Sequence, residues 1–198
     1  MKFLKENSYS IIKLYINQIG ISIFSLLLYS SVANLKSDKL SLNLTIGISV
    51  VAILFYFALV YTASWDIGAS DIIRIESGRM EGKKYKGALM SFFANVINFV
   101  LAGICVVSMI LYMNGIDAAQ GFSQVANLIL RLSYAMYIGL LQGIFNSFSE
   151  NGNMYNLLQS FGFLAAPLIT ILVTHLGYIL GMKNIKLFPS SKNTKKNK

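Results

Sequence analysis

The chain alternates between long apolar runs and short polar breaks. Residues 14–34, 44–62, 88–113, 127–148 and 160–182 are each dominated by Ile, Leu, Val, Phe and Ala. About 20 such residues in an α-helix cover the ~30 Å hydrocarbon core of a bilayer. The pattern predicts an all-α, polytopic integral membrane bundle. No break is long and polar enough to form a separate soluble domain. Composition agrees: of 198 residues 55% are hydrophobic and 13% charged, against about 25% charged in a soluble domain. A single transmembrane domain is expected over residues 1–188, followed by a basic, disordered tail at 189–198.

The most charged break is residues 64–87. Trp65, the only Trp, falls where a helix leaves the hydrocarbon, the depth an indole prefers. Beyond it Asp66, Asp71, Arg74, Glu76 and Arg79 are interspersed with Ile67, Ile72, Ile73 and Ile75. On a helix, Trp65, Ala69, Ile72 and Ile73 share one side. Asp71–Arg74 and Glu76–Arg79 are oppositely charged pairs three residues apart. These features predict a short amphipathic helix lying at the interface, a cytoplasmic elbow that ends near Gly78 or Gly82.

Charge then sets the expected threading. The formal net charge is +9. Every Lys and Arg except Lys36, Lys39 and Arg131 lies in the first 13 residues, in 64–87, or from Lys183 onward. Cationic segments stay on the cytoplasmic side, so both termini and the elbow are expected there, in a cell (plasma) membrane. Only an even number of crossings satisfies all three segments. Four crossings are expected, with residues 127–148 as a re-entrant or interfacial element on the outer side. Its Gly139-x-x-x-Gly143 permits close packing. The alternative is five crossings with one basic end outside. Ser31-Val32-Ala33 also offers small residues to a signal peptidase. A retained first span is favoured, because its polar lead-in is long and Asn17 and Gln18 interrupt its start. The charges sit at span ends and no basic groove with aromatic platforms is visible, so nucleic acid is not an expected partner. Abundant Lys, Ile and Asn hint at a low-GC bacterial source.

Little of the remaining chemistry is specific. One cysteine, Cys105, and one histidine, His175, make neither an intramolecular disulfide nor a zinc site, and no cofactor is implied. Asp66, Asp71, Arg74, Glu76, Arg79 and Trp65 could contact a partner or a lipid headgroup, or form only a solvated face of paired charges. The Asp-Gly…Gly…Asp…Asp spacing of phospholipid-transferring enzymes is absent. Gly78…Gly82-Lys83 is one residue too short for a phosphate loop and follows no strand. Ser91, Ala94, Asn95, Asn98 and Ala102 fall on one helical face that should point into the bundle. Asn95 and Asn98 would line a polar path or bridge helices. Arg131 could meet an anion, snorkel, or pair with Glu150 or Asp117. His175 could relay protons or bond Asn17 or Asn98. Gly177-x-x-x-Gly181 is a helix-packing pattern.

Three functional classes follow. The first is a non-catalytic membrane subunit or assembly factor, binding a membrane-protein partner or a second copy within the lipid bilayer through the elbow and spans. The second is a small oligomeric transporter or permease component using Asn95, Asn98, Arg131 and His175. The third is a membrane enzyme acting on headgroups through Asp66, Asp71 and Arg74.

Overall fold

Runs of Leu, Ile, Ala and Met contain little to stop a helix. In the computed structural model they merge with their flanks into a few long ones. The structure describes residues 2–32, 38–146 and 152–185. Six helices follow in order among these: α1 (Lys2–Val32), α2 (Asp38–Glu76), α3 (Lys86–Met113), α4 (Ala118–Ser133), α5 (Ala135–Phe145) and α6 (Gly152–Met182). No strand occurs among the described residues. Four helices, α1, α2, α3 and α6, are long and apolar enough to cross a membrane.

Glycine in the left-handed region closes two of them. At Gly78 (φ 70°) the Gly78 N–H donates to the Ile75 carbonyl and the Arg79 N–H to the Arg74 carbonyl. Gly115 (φ 90°) ends α3 the same way, with Gly115 and Ile116 donating to Tyr112 and Leu111. These bonds satisfy carbonyls that the helix end would leave open.

The stop at Gly78 matches the sequence expectation, but the elbow does not. Residues 64–76 are no separate interfacial helix. They continue α2, which runs unbroken for 39 residues, about 58 Å. The face turned inward is Ser64, Gly68 and Asp71, while Ile73 is 66% exposed. The outward face of this stretch is mixed, with Asp66, Ser70, Arg74 and Glu76 exposed beside Ile73, while the small and polar Ser64, Gly68 and Asp71 pack against the bundle.

Helix directions follow from the contacts. Gly177 lies against Tyr61 and Ser64, and Gly181 against Trp65, so α2 and α6 run parallel. Lys86, at the start of α3, meets Asp71 near the end of α2, and Tyr178 near the end of α6 reaches the same carboxylate. Hence α3 runs against both. Phe3 packs on Phe93 with ring centroids 5.9 Å apart, placing the start of α1 beside the start of α3.

Between α3 and α6 lies a bent pair. The chain turns by 113° between α4 and α5. Helix α4 runs back along α3, with Ser123 beside Cys105 and Tyr134 beside Asn95. Helix α5 returns along α2, with Gly139 against Thr45 and Gly143 against Ile46. By length and apolarity the pair could count as a fifth span. The parallel course of α2 and α6 instead makes it a hairpin that enters and leaves at one end. Its tip, Ser133–Tyr134, sits level with the middles of α1, α3 and α6, at Gln18, Asn95 and Phe163.

The two ends therefore differ. One gathers the start of α1, the α2–α3 turn and the end of α6, with Arg74, Arg79, Lys83, Lys84, Lys86 and Lys183. The other receives the hairpin, where the only cation among the residues with described side chains is Arg131.

Candidate functional site

Polar groups buried in a bundle need partners, and those around the hairpin tip are only partly supplied with them. Where α4 stops, the Ser133 carbonyl has no intrahelical donor. It accepts from Gln18 Nε2 at 3.2 Å and Ser22 Oγ at 2.6 Å, both on α1. The Tyr134 hydroxyl donates to Asn95 Oδ1 at 2.9 Å, and its ring stacks on Phe163 at 6.2 Å. Asn95 in turn donates to the Ser91 carbonyl. Around this knot both amide atoms of Asn98, Gln18 Oε1 and the Tyr137 hydroxyl lack a partner at full hydrogen-bond geometry, although Tyr134 lies near Asn98 and Gln18, and Thr170 near Tyr137. Pro167, inside α6, has no N–H, so the Phe163 carbonyl also loses its helical donor.

Above the tip, at the hairpin end, a cleft of about 290 Å³ opens between α3, α4 and α6. Its lining includes Tyr112, Ser123, Gln124, Asn127, Asn156 and Arg131. Arg131 sits two residues before the tip, and its Nη2 donates to Gln159 Oε1 at 2.6 Å. Gln159 is fully buried, and its Nε2 has no partner. Arg131 Nε and Asn127 Oδ1 lack partners as well. One helical turn deeper in α3, Cys105 Sγ lies 3.0 Å from Ser160 Oγ.

At the basic end, Lys86 Nζ is 2.7 Å from Asp71 Oδ2, and the Tyr178 hydroxyl donates to the same oxygen at 3.0 Å. Asp71 is 2% exposed. This buried group ties α2, α3 and α6 together. Beside it lies a second cleft of about 340 Å³, whose lining mixes Arg74, Arg79, Lys83 and Lys86 with Glu6 and Glu81.

The structure disperses some of the residues singled out in the sequence and joins others. Asp66, Arg74, Glu76 and Arg79 are exposed, and Asp71 is buried on a different face of α2 from Asp66. Asp71 pairs with Lys86 rather than Arg74, and Glu76 forms no ion pair with Arg79 among the described residues. Trp65 Nε1 donates to the Ile185 carbonyl at 2.7 Å, fastening α2 to the end of α6. Ser91, Ala94, Asn95, Asn98 and Ala102 all face inward as their spacing predicted. His175 bonds neither Asn17 nor Asn98. It stacks on Tyr85 at 6.1 Å, and its Nδ1 has no partner. Arg131 turns to Gln159 rather than to Asp117, while Glu150 lies outside the described residues, as does the tail at 189–198.

No sequence motif marks Lys86, Tyr134, Gln159 or Tyr178 as a site residue. Each acquires its role only through a partner distant in sequence. Among the described residues no group of three or more His, Cys, Asp or Glu could hold a metal ion.

What fold and clefts define is a class: a polytopic α-helical membrane protein with a half-depth hairpin and a polar cleft at each end. Compared with protein-family models, curated proteins and solved structures, the chain matches none.

Proposed function

We propose that the protein is a small, non-catalytic, solute-binding component of a membrane permease, with its basic end and both termini in the cytoplasm of a plasma membrane. The observation that carries this reading is the set of buried polar atoms around the half-depth hairpin without well-formed hydrogen bonds, on Gln18, Asn98, Tyr137, Arg131 and Gln159. Each such group costs about 1–3 kcal/mol if left dry. Water or a polar solute would supply the missing partners. Broken helices at membrane depth are tolerated where they are buried in protein or line an aqueous cavity, and solute sites in transporters use them. The concentration of Lys and Arg at the opposite end supports the orientation.

Cysteine chemistry tests this directly. In a Cys105→Ala background, Asn98→Cys is expected to react with a small water-soluble thiosulfonate. Val100→Cys, on a side chain 58% exposed on the bundle's outer surface, is expected to stay unmodified. An unreactive Cys at 98 in folded protein would contradict a hydrated centre.

A second reading, a non-catalytic subunit, draws support from the basic cleft. Exposed Arg74, Arg79 and Lys83 would meet an acidic surface on a partner. In mild detergent, Arg74→Glu/Arg79→Glu would then lose a chain that co-purifies with the wild type. A homo-oligomer without foreign chains would remove this reading.

A further inference from the structure

The hairpin-end cleft has a recognisable ligand chemistry. Its lining carries one full charge, Arg131, and no carboxylate. The rest is mostly uncharged and polar: Tyr112, Gln124, Asn127, Asn153 and Asn156, with Ser123 beneath. The first turn of α6, bearing Asn153 and Asn156, and the first half of α4 both face the cleft. Helix N-termini favour negative charge.

Arg131 is held for use rather than fully used. Gln159 Oε1 receives one N–H of the guanidinium, which has five to give. That bond also fixes which way the amide faces, leaving Gln159 Nε2 as a fully buried donor without an acceptor. The guanidinium Nε beside it has none either. Arg131 lines the cleft and Gln159 does not, so it is the guanidinium's remaining N–H groups that call for an acceptor-rich anion there. A planar guanidinium fits a carboxylate with two parallel bonds. A single cation balances a single negative charge, whereas a phosphate dianion would leave one charge uncompensated.

We propose that the Arg131 cleft binds a small carboxylate monoanion bearing uncharged polar groups such as hydroxyls or an amide. The carboxylate meets Arg131, and the amide side chains of α4 and α6 hold the remainder. About 290 Å³ suits a molecule of this size. As the identity of the transported solute, the assignment rests on the permease reading. As a binding site, it stands alone.

The test uses the full-length protein in lipid nanodiscs and isothermal titration with gluconate, N-acetylglycine and inorganic phosphate. At least one of the two acids is expected to bind, and more tightly than phosphate. Arg131→Gln is expected to weaken that binding at least about tenfold, since a hydrogen-bonded charge is lost. Gln159→Glu is expected to do the same by a different route. It places a carboxylate on the guanidinium and occupies the cleft's only charge, while keeping the fold through a new ion pair. Thermal unfolding of each variant reports the fold, so a misfolded Arg131→Gln leaves Gln159→Glu to decide. Failure of both acids to bind, tighter binding of phosphate, or unchanged affinity in a folded Gln159→Glu variant would each overturn the proposal. Flux of labelled gluconate and N-acetylglycine into proteoliposomes separates the two claims. Binding without flux removes the permease role and leaves the site. Flux of another solute without acid binding removes the site and leaves the permease.

Discussion

At the scale of single residues, the decisive interaction is the buried contact of Asp71 with Lys86 and Tyr178. A carboxylate 2% exposed survives at the end of a membrane helix only because a cation and a hydroxyl meet it. Removing one member of a buried pair strands the other charge, at about 3–5 kcal/mol. Asp71→Leu and Lys86→Met are each therefore expected to lower unfolding stability in mild detergent by about 3–5 kcal/mol. The double variant Asp71→Leu/Lys86→Met is expected to recover most of the loss. A denaturant titration of all four forms of the cycle measures the coupling, and strict additivity would show that the pair does not interact. Asp71 was legible in the sequence as a charge to explain, but its partner was not. Helical spacing points from Asp71 to Arg74, on the same helix. Lys86 becomes a neighbour only because the turn at 77–85 folds α3 back against α2, and no local rule reports that. Arg131 repeats the lesson: its partner Gln159 lies on α6, beyond the whole of α5.

At the scale of elements, glycine decides which helices can touch. A Cβ on Gly139 would collide with the Thr45 carbonyl, and one on Gly181 with the Trp65 carbonyl. Gly103 and Gly121 have no such neighbour within 4 Å. Gly139→Ala is expected to cost about 1–3 kcal/mol by forcing α5 off α2. Gly103→Ala is expected to be neutral or to gain up to about 1 kcal/mol from helix propensity. Thermal unfolding of the two variants side by side checks this, and equal effects would contradict the packing. Both spaced glycine pairs could be read from the sequence, as could the inward face of α3, because helical periodicity survives in lipid. The elbow expected at 64–87 differs from the structure for a physical reason. The spacing of Trp65, Ala69, Ile72 and Ile73 along one side suggests a short helix lying in the interface, but nothing between 62 and 76 breaks the helix, so α2 simply runs on. Ser64, Gly68 and Asp71 form the packed side because α6 approaches there, at Gly177 and Tyr178.

At the scale of the whole molecule, four long helices, basic segments gathered at one end and a hairpin that returns on itself are one statement. The hairpin restores the direction of the chain, so that α6 can run parallel to α2 and bring its end beside Trp65, Asp71 and Lys86. It also carries Ser133 and Tyr134 to mid-depth and holds Arg131 beneath an open polar cleft. Binding and permeation, as proposed, both depend on that course. The most direct measurement is single-cysteine labelling in sealed, oriented membrane vesicles, using a membrane-impermeant maleimide on a Cys105→Ala background. Asn114→Cys, just before α4, and Asn146→Cys, just after α5, bracket the hairpin, while Ser77→Cys marks the turn after α2. The account predicts that positions 114 and 146 label from one side and position 77 only from the other. Labelling of 114 and 146 from opposite sides would mean that the pair crosses the membrane, and would contradict the hairpin on which the polar cleft and its proposed function rest.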